Sequence, residues 1–129
     1  MATRRESRER ALGLCYELEA RGATLDEVLD GLSATPDAYA LELTRGVDEH
    51  RDEIDARLRT LSEHWALERM PAVDRALLRI GSYELGWQPD LPIAVVIDEA
   101  VDLARQYSTK DSGRFVNALL TRVAEELRA

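Results

Sequence analysis

The sequence predicts an all-α domain. Three observations carry that expectation: a residue mix rich in Leu, Ala, Glu and Arg with only 5% aromatics, apolar positions recurring at helical spacing, and start and stop signals that leave little room for strands. The first helix is expected from about Thr3 to Arg21, ending at Gly22, because glycine just past a helix end tolerates positive φ. Thr24-Leu25-Asp26-Glu27 matches a capping box, in which hydroxyl and carboxylate satisfy free backbone donors, and opens a short second helix to about Leu32. Thr35-Pro36 repeats the start signal, since proline in the first turn forfeits no helical hydrogen bond. From there Leu43, Val47, Ile54, Leu58 and Leu61 keep one apolar stripe along a long third helix, loosened locally at Gly46. Met70-Pro71 opens the fourth, with Val73, Leu77, Ile80 and Leu85 inward, and Gln88-Pro89-Asp90-Leu91-Pro92 is a turn. Pro92 starts the fifth, whose buried stripe is Val96, Ala100, Leu103 and Tyr107. Ser108-Thr109 then caps a final helix carrying Phe115, Val116, Leu119, Leu120, Val123 and Leu127. All four prolines fall at joints. Val95-Val96-Ile97 is the best strand candidate, but it sits inside a helical pattern with no partner strand. The expected architecture is a bundle of six to seven helices, with residues 1–129 as one domain.

Composition narrows the function classes. No apolar stretch reaches the roughly 18 residues that span a bilayer, and Met1-Ala2-Thr3-Arg4-Arg5 runs into Glu6 rather than an apolar signal core, so a soluble, cytoplasmic protein is expected. The net charge of −8 speaks against a nucleic-acid binder until its distribution is traced. Residues 1–21 carry five Arg against four Glu, residues 22–68 four Arg against twelve acids, and residues 69–129 eight basic residues against nine acids. The excess therefore belongs to the middle segment, either a solvated face or one offered to a basic protein. Cys15 is the single cysteine and lies at helical spacing among Ala11, Leu14 and Leu18, as a small buried hydrophobe would. His50 and His64 lie far from it in sequence, so no activated thiol is expected.

Two segments have the chemistry to bind RNA. Arg4, Arg5, Arg8 and Arg10 crowd one stretch, and guanidinium groups in succession can track a phosphate backbone. Arg5 and Tyr16 are eleven residues apart, about 20° in azimuth at 100° per residue, so Tyr16 can offer a base a stacking surface on the same helix face. The arginines equally suit a solvated helix start, with Tyr16 in the core. The second segment is Ser108-Thr109-Lys110-Asp111-Ser112-Gly113-Arg114-Phe115-Val116-Asn117, a polar loop entering a helix. Its backbone amides, Lys110 and Arg114 suit a phosphate, and Phe115 or Asn117 a base, although a capped helix start with a core phenylalanine has the same pattern. Glu84, Asp98 and Glu99 lack a histidine at metal-binding spacing, and Arg75 and Arg79 are their expected ion-pair partners. No catalytic constellation, metal site or cofactor motif emerges.

The second half resembles the NusB transcription antitermination family. The resemblance rests on Arg69-Met70-Pro71-Ala72-Val73-Asp74-Arg75-Ala76-Leu77-Leu78-Arg79-Ile80, then Tyr83-Glu84-Leu85, Leu91-Pro92, Val96-Ile97-Asp98-Glu99-Ala100-Val101-Asp102-Leu103-Ala104-Arg105, and the Ser108–Asn117 block, in the family's order and spacing. The Arg-rich start leading to Ala11-Leu12 and Tyr16 is similar as well. Ala118, where the family usually has Gly, and Asp98, where it often has Asn, are departures. The resemblance implies two three-helix halves and a non-enzymatic protein. It also implies binding to the boxA element of ribosomal RNA transcripts together with NusE, a small-subunit ribosomal protein, within the RNA polymerase antitermination complex. Carried over by position, Arg4, Arg5, Arg8, Tyr16, Lys110, Ser112, Arg114, Phe115 and Asn117 would meet RNA, Tyr83 and Glu84 would face NusE, and Asp74, Arg75 and Glu99 would be structural. An enzymatic alternative is the NusB-like domain of a ribosomal RNA cytosine methyltransferase, against which the chain's end at Ala129 without a cofactor-binding domain weighs. A protein-only helical adaptor would suit the acidic middle segment. A homodimer through the face that otherwise meets RNA is a further expectation.

Overall fold

Local capping chemistry sets the first helices of the computed structural model, which describes residues 1–128. Thr3 and Glu6 form a reciprocal capping box at the start of α1 (Arg4–Arg21), and Gly22 closes it at φ 61°. Thr24 and Glu27 do the same for α2 (Leu25–Asp30), as the sequence predicts. The next start lies later than Thr35-Pro36. Asp37 is the cap of α3 (Ala38–Glu49), its carboxylate accepting from the Ala40 amide at 3.1 Å and, bracing it against α1, from Ser7 Oγ at 2.5 Å.

The expected long third helix is two helices. The chain breaks at His50, whose φ of −106° and ψ of 14° are not helical, and α4 (Arg51–Leu61) leaves in a new direction to lie against later helices. Gly46 does not loosen α3. The Tyr83 ring occupies the space a side chain there would fill, so α3 approaches ring-close to α5 (Ala72–Trp87). After a single 3₁₀ turn at Leu67–Arg69, α5 is followed by α6 (Ile93–Tyr107) and α7 (Ser112–Leu127). Val95–Ile97 is helical within α6, and α7 starts at Ser112 rather than Ser108-Thr109.

The described residues thus hold seven α-helices and no strand: α1–α3 form one three-helix half, α5–α7 the other, and α4 packs on α5 and α7. One continuous core joins the halves, running from Ala11, Leu12 and Leu43 through Leu77 and Leu78 to Leu120 and Val123. A small satellite of Leu14, Leu18, Leu25 and Val28 holds α2 on α1.

α5 runs through the centre. Every residue from Ala76 to Leu85 is buried, including Arg79, Ser82 and Glu84. The arginines of α5 do not pair with Glu84, Asp98 or Glu99 as expected, because Glu84 on the same helix is taken by Arg8 and Tyr39, and Asp98 and Glu99 lie on α6. Arg79 grips Asp55 of α4 (Nε–Oδ1 2.8 Å, Nη2–Oδ2 3.1 Å) and Glu19 of α1 (2.6 Å), and Arg75 donates to Glu19 at 2.5 Å. Burial pushes the Glu19 carboxyl up, but hydrogen bonds from Arg75 and Arg79 outweigh it and hold the group at about 2.

Two outcomes follow from this packing. Gly46→Ala drives a methyl into the Tyr83 ring and is expected to cost about 3 kcal/mol, read as a lower urea midpoint at unchanged slope. A carboxylate depressed from 4.5 to about 2 contributes its stability in full above pH 4.5 and loses it as pH falls through 2. Glu19→Gln should therefore melt below the parent at pH 7, with the difference closing between pH 4.5 and 2; a difference independent of pH would rule out a charge contribution.

Candidate nucleic-acid interface

The α1 arginines have the same chemistry and different fates. Arg8 faces inward and is 4% exposed, with Nε 3.1 Å from both Glu84 oxygens and Nη2 2.9 Å from Oε2. Tyr39 also donates its hydroxyl to Glu84. Burial pulls the Arg8 guanidinium down, but the hydrogen bonds and charge of Glu84 more than offset this and raise it above its ordinary value. Arg4 lies outside this buried group, its Cζ 3.6 Å from the Tyr39 ring centroid. Arg5 sits between α1 and α6, donating to Gln106 at 3.3 Å and lying 3.4, 3.6 and 3.9 Å from Glu99, Asp102 and Glu9. A phosphate reaching Arg5 must compete with three carboxylates.

Of the residues expected to bind, the structure removes four from the accessible surface. Arg8 and Glu84 are closed on each other. Tyr83 is buried, seated on Gly46 and stacked 5.6 Å from Trp87, which stacks in turn on His50 at 4.1 Å. Ser112 is buried as well: its hydroxyl accepts from the Thr109 amide at 3.1 Å and donates to Ser108, which donates to Asp74 at 2.5 Å. These hydroxyls, which look in sequence like a cap or a phosphate loop, pin the α6–α7 turn to α5 and leave Lys110 exposed on it. Arg114 and Asn117 are exposed on the first turns of α7.

Phe115 belongs to a different surface. At 100° per residue it lies about 160° around α7 from Asn117, so the two flank opposite edges of the helix. Its ring meets Trp65 edge-on at 5.0 Å in a groove of about 540 Å³ lined by Leu61, Ala118 and Leu119. Trp65 gave no signal in the sequence, because it lies in a short irregular segment without periodicity.

What the fold brings together is Arg5, Glu9 and Tyr16 on α1 with Tyr107 at the end of α6. Tyr107 donates its hydroxyl to Glu9 at 2.5 Å, and this bond to a carboxylate raises its pKa. Tyr107 was expected in the core; it is 46% exposed because α6 ends there and its ring extends over α1. Arg5, Glu9, Tyr16 and Tyr107 thus form one surface of a cation, exposed rings and hydrogen-bonding groups, and Lys110 is exposed on the turn that follows α6. That surface can hold an anionic, heteroaromatic polymer. Nucleophile chemistry has no comparable footing, since Cys15 is buried and its thiol pushed up to about 12. Among the described residues no His/Cys/Asp/Glu group could hold a metal ion, and no helix is long and apolar enough to cross a membrane.

Comparison with known proteins agrees with this shape. The family model described as NusB family matches residues 5–125. The transcription antitermination protein NusB of Kineococcus radiotolerans is 49% identical, over 97% of this chain and 95% of that protein. Its counterpart in Myxococcus xanthus is 44% identical, over 98% of each. The crystal form 2 structure of T. maritima NusB superposes with a TM-score of 0.86 at 37% identity, covering 97% of this chain and 92% of that one. NusB in the crystal structure of antitermination factors NusB and NusE in complex with dsRNA superposes at 0.79 with 27% identity, covering 95% and 96%.

The two arginines separate in a stability measurement. Arg8→Ala strands Glu84 without its counter-charge and is expected to cost about 3–5 kcal/mol. Arg5→Ala, at the surface, should stay within about 1 kcal/mol, both read from thermal unfolding.

Proposed function

The chain belongs to the NusB family, and on that premise we propose that it is a transcription antitermination factor. It binds the boxA element of ribosomal RNA transcripts together with NusE and joins the RNA polymerase antitermination complex in the cytoplasm. The observation that carries the reading in this chain is the meeting of Arg5, Glu9 and Tyr16 of α1 with Tyr107 of α6 on one surface, joined by the Tyr107–Glu9 hydrogen bond. Arg4, Arg5, Tyr16, Lys110, Arg114 and Asn117 make its contacts with RNA. Arg8, Glu84 and Ser112 act behind them, holding α1 and the α6–α7 turn in register. The likeness to NusB in complex with NusE and RNA supports NusE as the companion protein. The Trp65–Phe115 groove is the face best suited to a protein partner, being apolar and distant around α7 from Asn117.

The test is a titration of the protein, with and without NusE, against a boxA-like single-stranded RNA and a scrambled control at two salt concentrations. Preferential boxA binding that tightens with NusE is expected; equal, weak binding to both RNAs would sink the reading. Arg5→Ala should weaken binding and flatten the salt slope by about one unit, the signature of one lost phosphate contact.

A further inference from the structure

Two exposed aromatic rings on this face line a single groove. Tyr16, on α1, and Tyr107, the last residue of α6, are 47% and 46% exposed and share a groove of about 370 Å³ with Leu12, Gly13 and Val73. Gly13 keeps it open: a Cβ there would meet nothing within 4 Å. Glu9 completes the lining and is anchored from two sides. Its Oε2 accepts the Tyr107 hydroxyl at 2.5 Å, and its Oε1 lies 3.9 Å from Arg5 Nε. A carboxylate offers about four lone-pair sites, so Glu9 retains capacity for further donors.

Aromatic walls with an acceptor at the edge are the features that hold a heteroaromatic base. Every base has a face that stacks on a tyrosine, and the N–H groups of its pairing edge can donate to a carboxylate. An aliphatic protein side chain would fill the apolar part of the groove and leave Glu9 unused. A cation lies at the Glu9 end, where Arg5 Nε is 3.9 Å from Glu9 Oε1, so a phosphate next to the bound base has a partner there.

We propose that the Tyr16–Tyr107 groove is a slot for one unpaired nucleobase, read on its N–H edge by Glu9. Guanine is the preferred occupant, because its pairing edge presents two adjacent N–H donors to one carboxylate. The proposal rests on the RNA-binding reading above and adds to it a second stacking wall and a residue that discriminates between bases.

The experiment uses the full chain with NusE and a short boxA-like single-stranded RNA carrying 2-aminopurine at one position at a time. Quenching at a single position is expected in the parent protein. Tyr107→Ala should abolish that quenching and weaken binding about tenfold, the scale of one lost base stack, whereas Tyr107→Phe keeps the ring and the quenching. Gly13→Leu fills the groove while favouring the helix, so lost binding with unchanged helix content reports obstruction rather than misfolding. Glu9→Gln should reduce the preference for guanine over uracil at the quenched position. Binding of Tyr107→Ala and Gly13→Leu within about twofold of the parent, with quenching intact, would overturn the slot. If Arg5→Ala still weakens binding in that case, RNA recognition stands without it. Loss of NusE binding with RNA binding intact would make the groove a protein site instead. A parent that does not distinguish boxA from scrambled RNA would remove the slot and the RNA reading together.

Discussion

Enclosing α5 on every side creates the constraint that organises the rest of the molecule, because the fully enclosed stretch from Ala76 to Leu85 contains two side chains of opposite charge type, Arg79 and Glu84. A buried charge is tolerated only with a counter-charge and good hydrogen bonds, and neither Arg79 nor Glu84 finds one in its own half. Arg79 takes Glu19 from α1 and Asp55 from α4, while Glu84 takes Arg8 from α1 and the Tyr39 hydroxyl from α3. Apolar packing between the halves, such as the Tyr83 ring seated on Gly46, already resists sliding, and the ion pairs add to it. These pairs single out one register, since any other would strand a charge in the interior.

That register decides what α1 shows to the outside. With Arg8 drawn in against Glu84, the same helix turns Arg5, Glu9 and Tyr16 toward the end of α6. The α6–α7 turn is fixed by the parallel device of Asp74, Ser108 and Ser112, whose hydroxyl chain ends on the first turn of α5. Both segments of the binding surface are thus hung from α5, one at each end of its buried stretch. The acids around Arg5 temper its charge, so recognition on this face depends on rings and hydrogen bonds as well as on cations.

The acidic middle segment supplies three structural groups, Glu27 in the α2 capping box, Asp37 at the α3 cap and Asp55 beneath Arg79. Asp26, Asp48, Glu49, Asp52 and Glu53 face solvent. The negative total charge of the chain is therefore compatible with a surface for RNA elsewhere, as the charge distribution along the sequence indicates. Histidine and cysteine serve packing here: His50 stacks on Trp87 and the Cys15 thiol is buried.

Local chemistry made much of the fold readable. The capping boxes at Thr3 and Thr24, the glycine at position 22 and the prolines at the joints act over three or four residues, so the sequence by itself determined the all-helical class and most helix ends. It also placed the core stripes, because helical periodicity reports which face is apolar. It misplaced the α3 start, where Asp37 rather than Thr35 is the cap, and missed the break at His50, from which α4 turns to pack on α5 and α7. It misplaced the α7 start as well, where Ser112 is tied through Ser108 to Asp74 of α5. The surface divided in the same way. Arg5 and Arg8 are the same residue type three positions apart, and nothing local distinguishes the one left at the surface from the one buried against a carboxylate 76 residues away. Tyr107 looked like a core position by spacing, and Glu84 like an accessible one by type. Only the tertiary structure decided which charges are interior and which rings are exposed, because that choice is made by desolvation and pairing between helices, and those act across the bundle rather than along the chain.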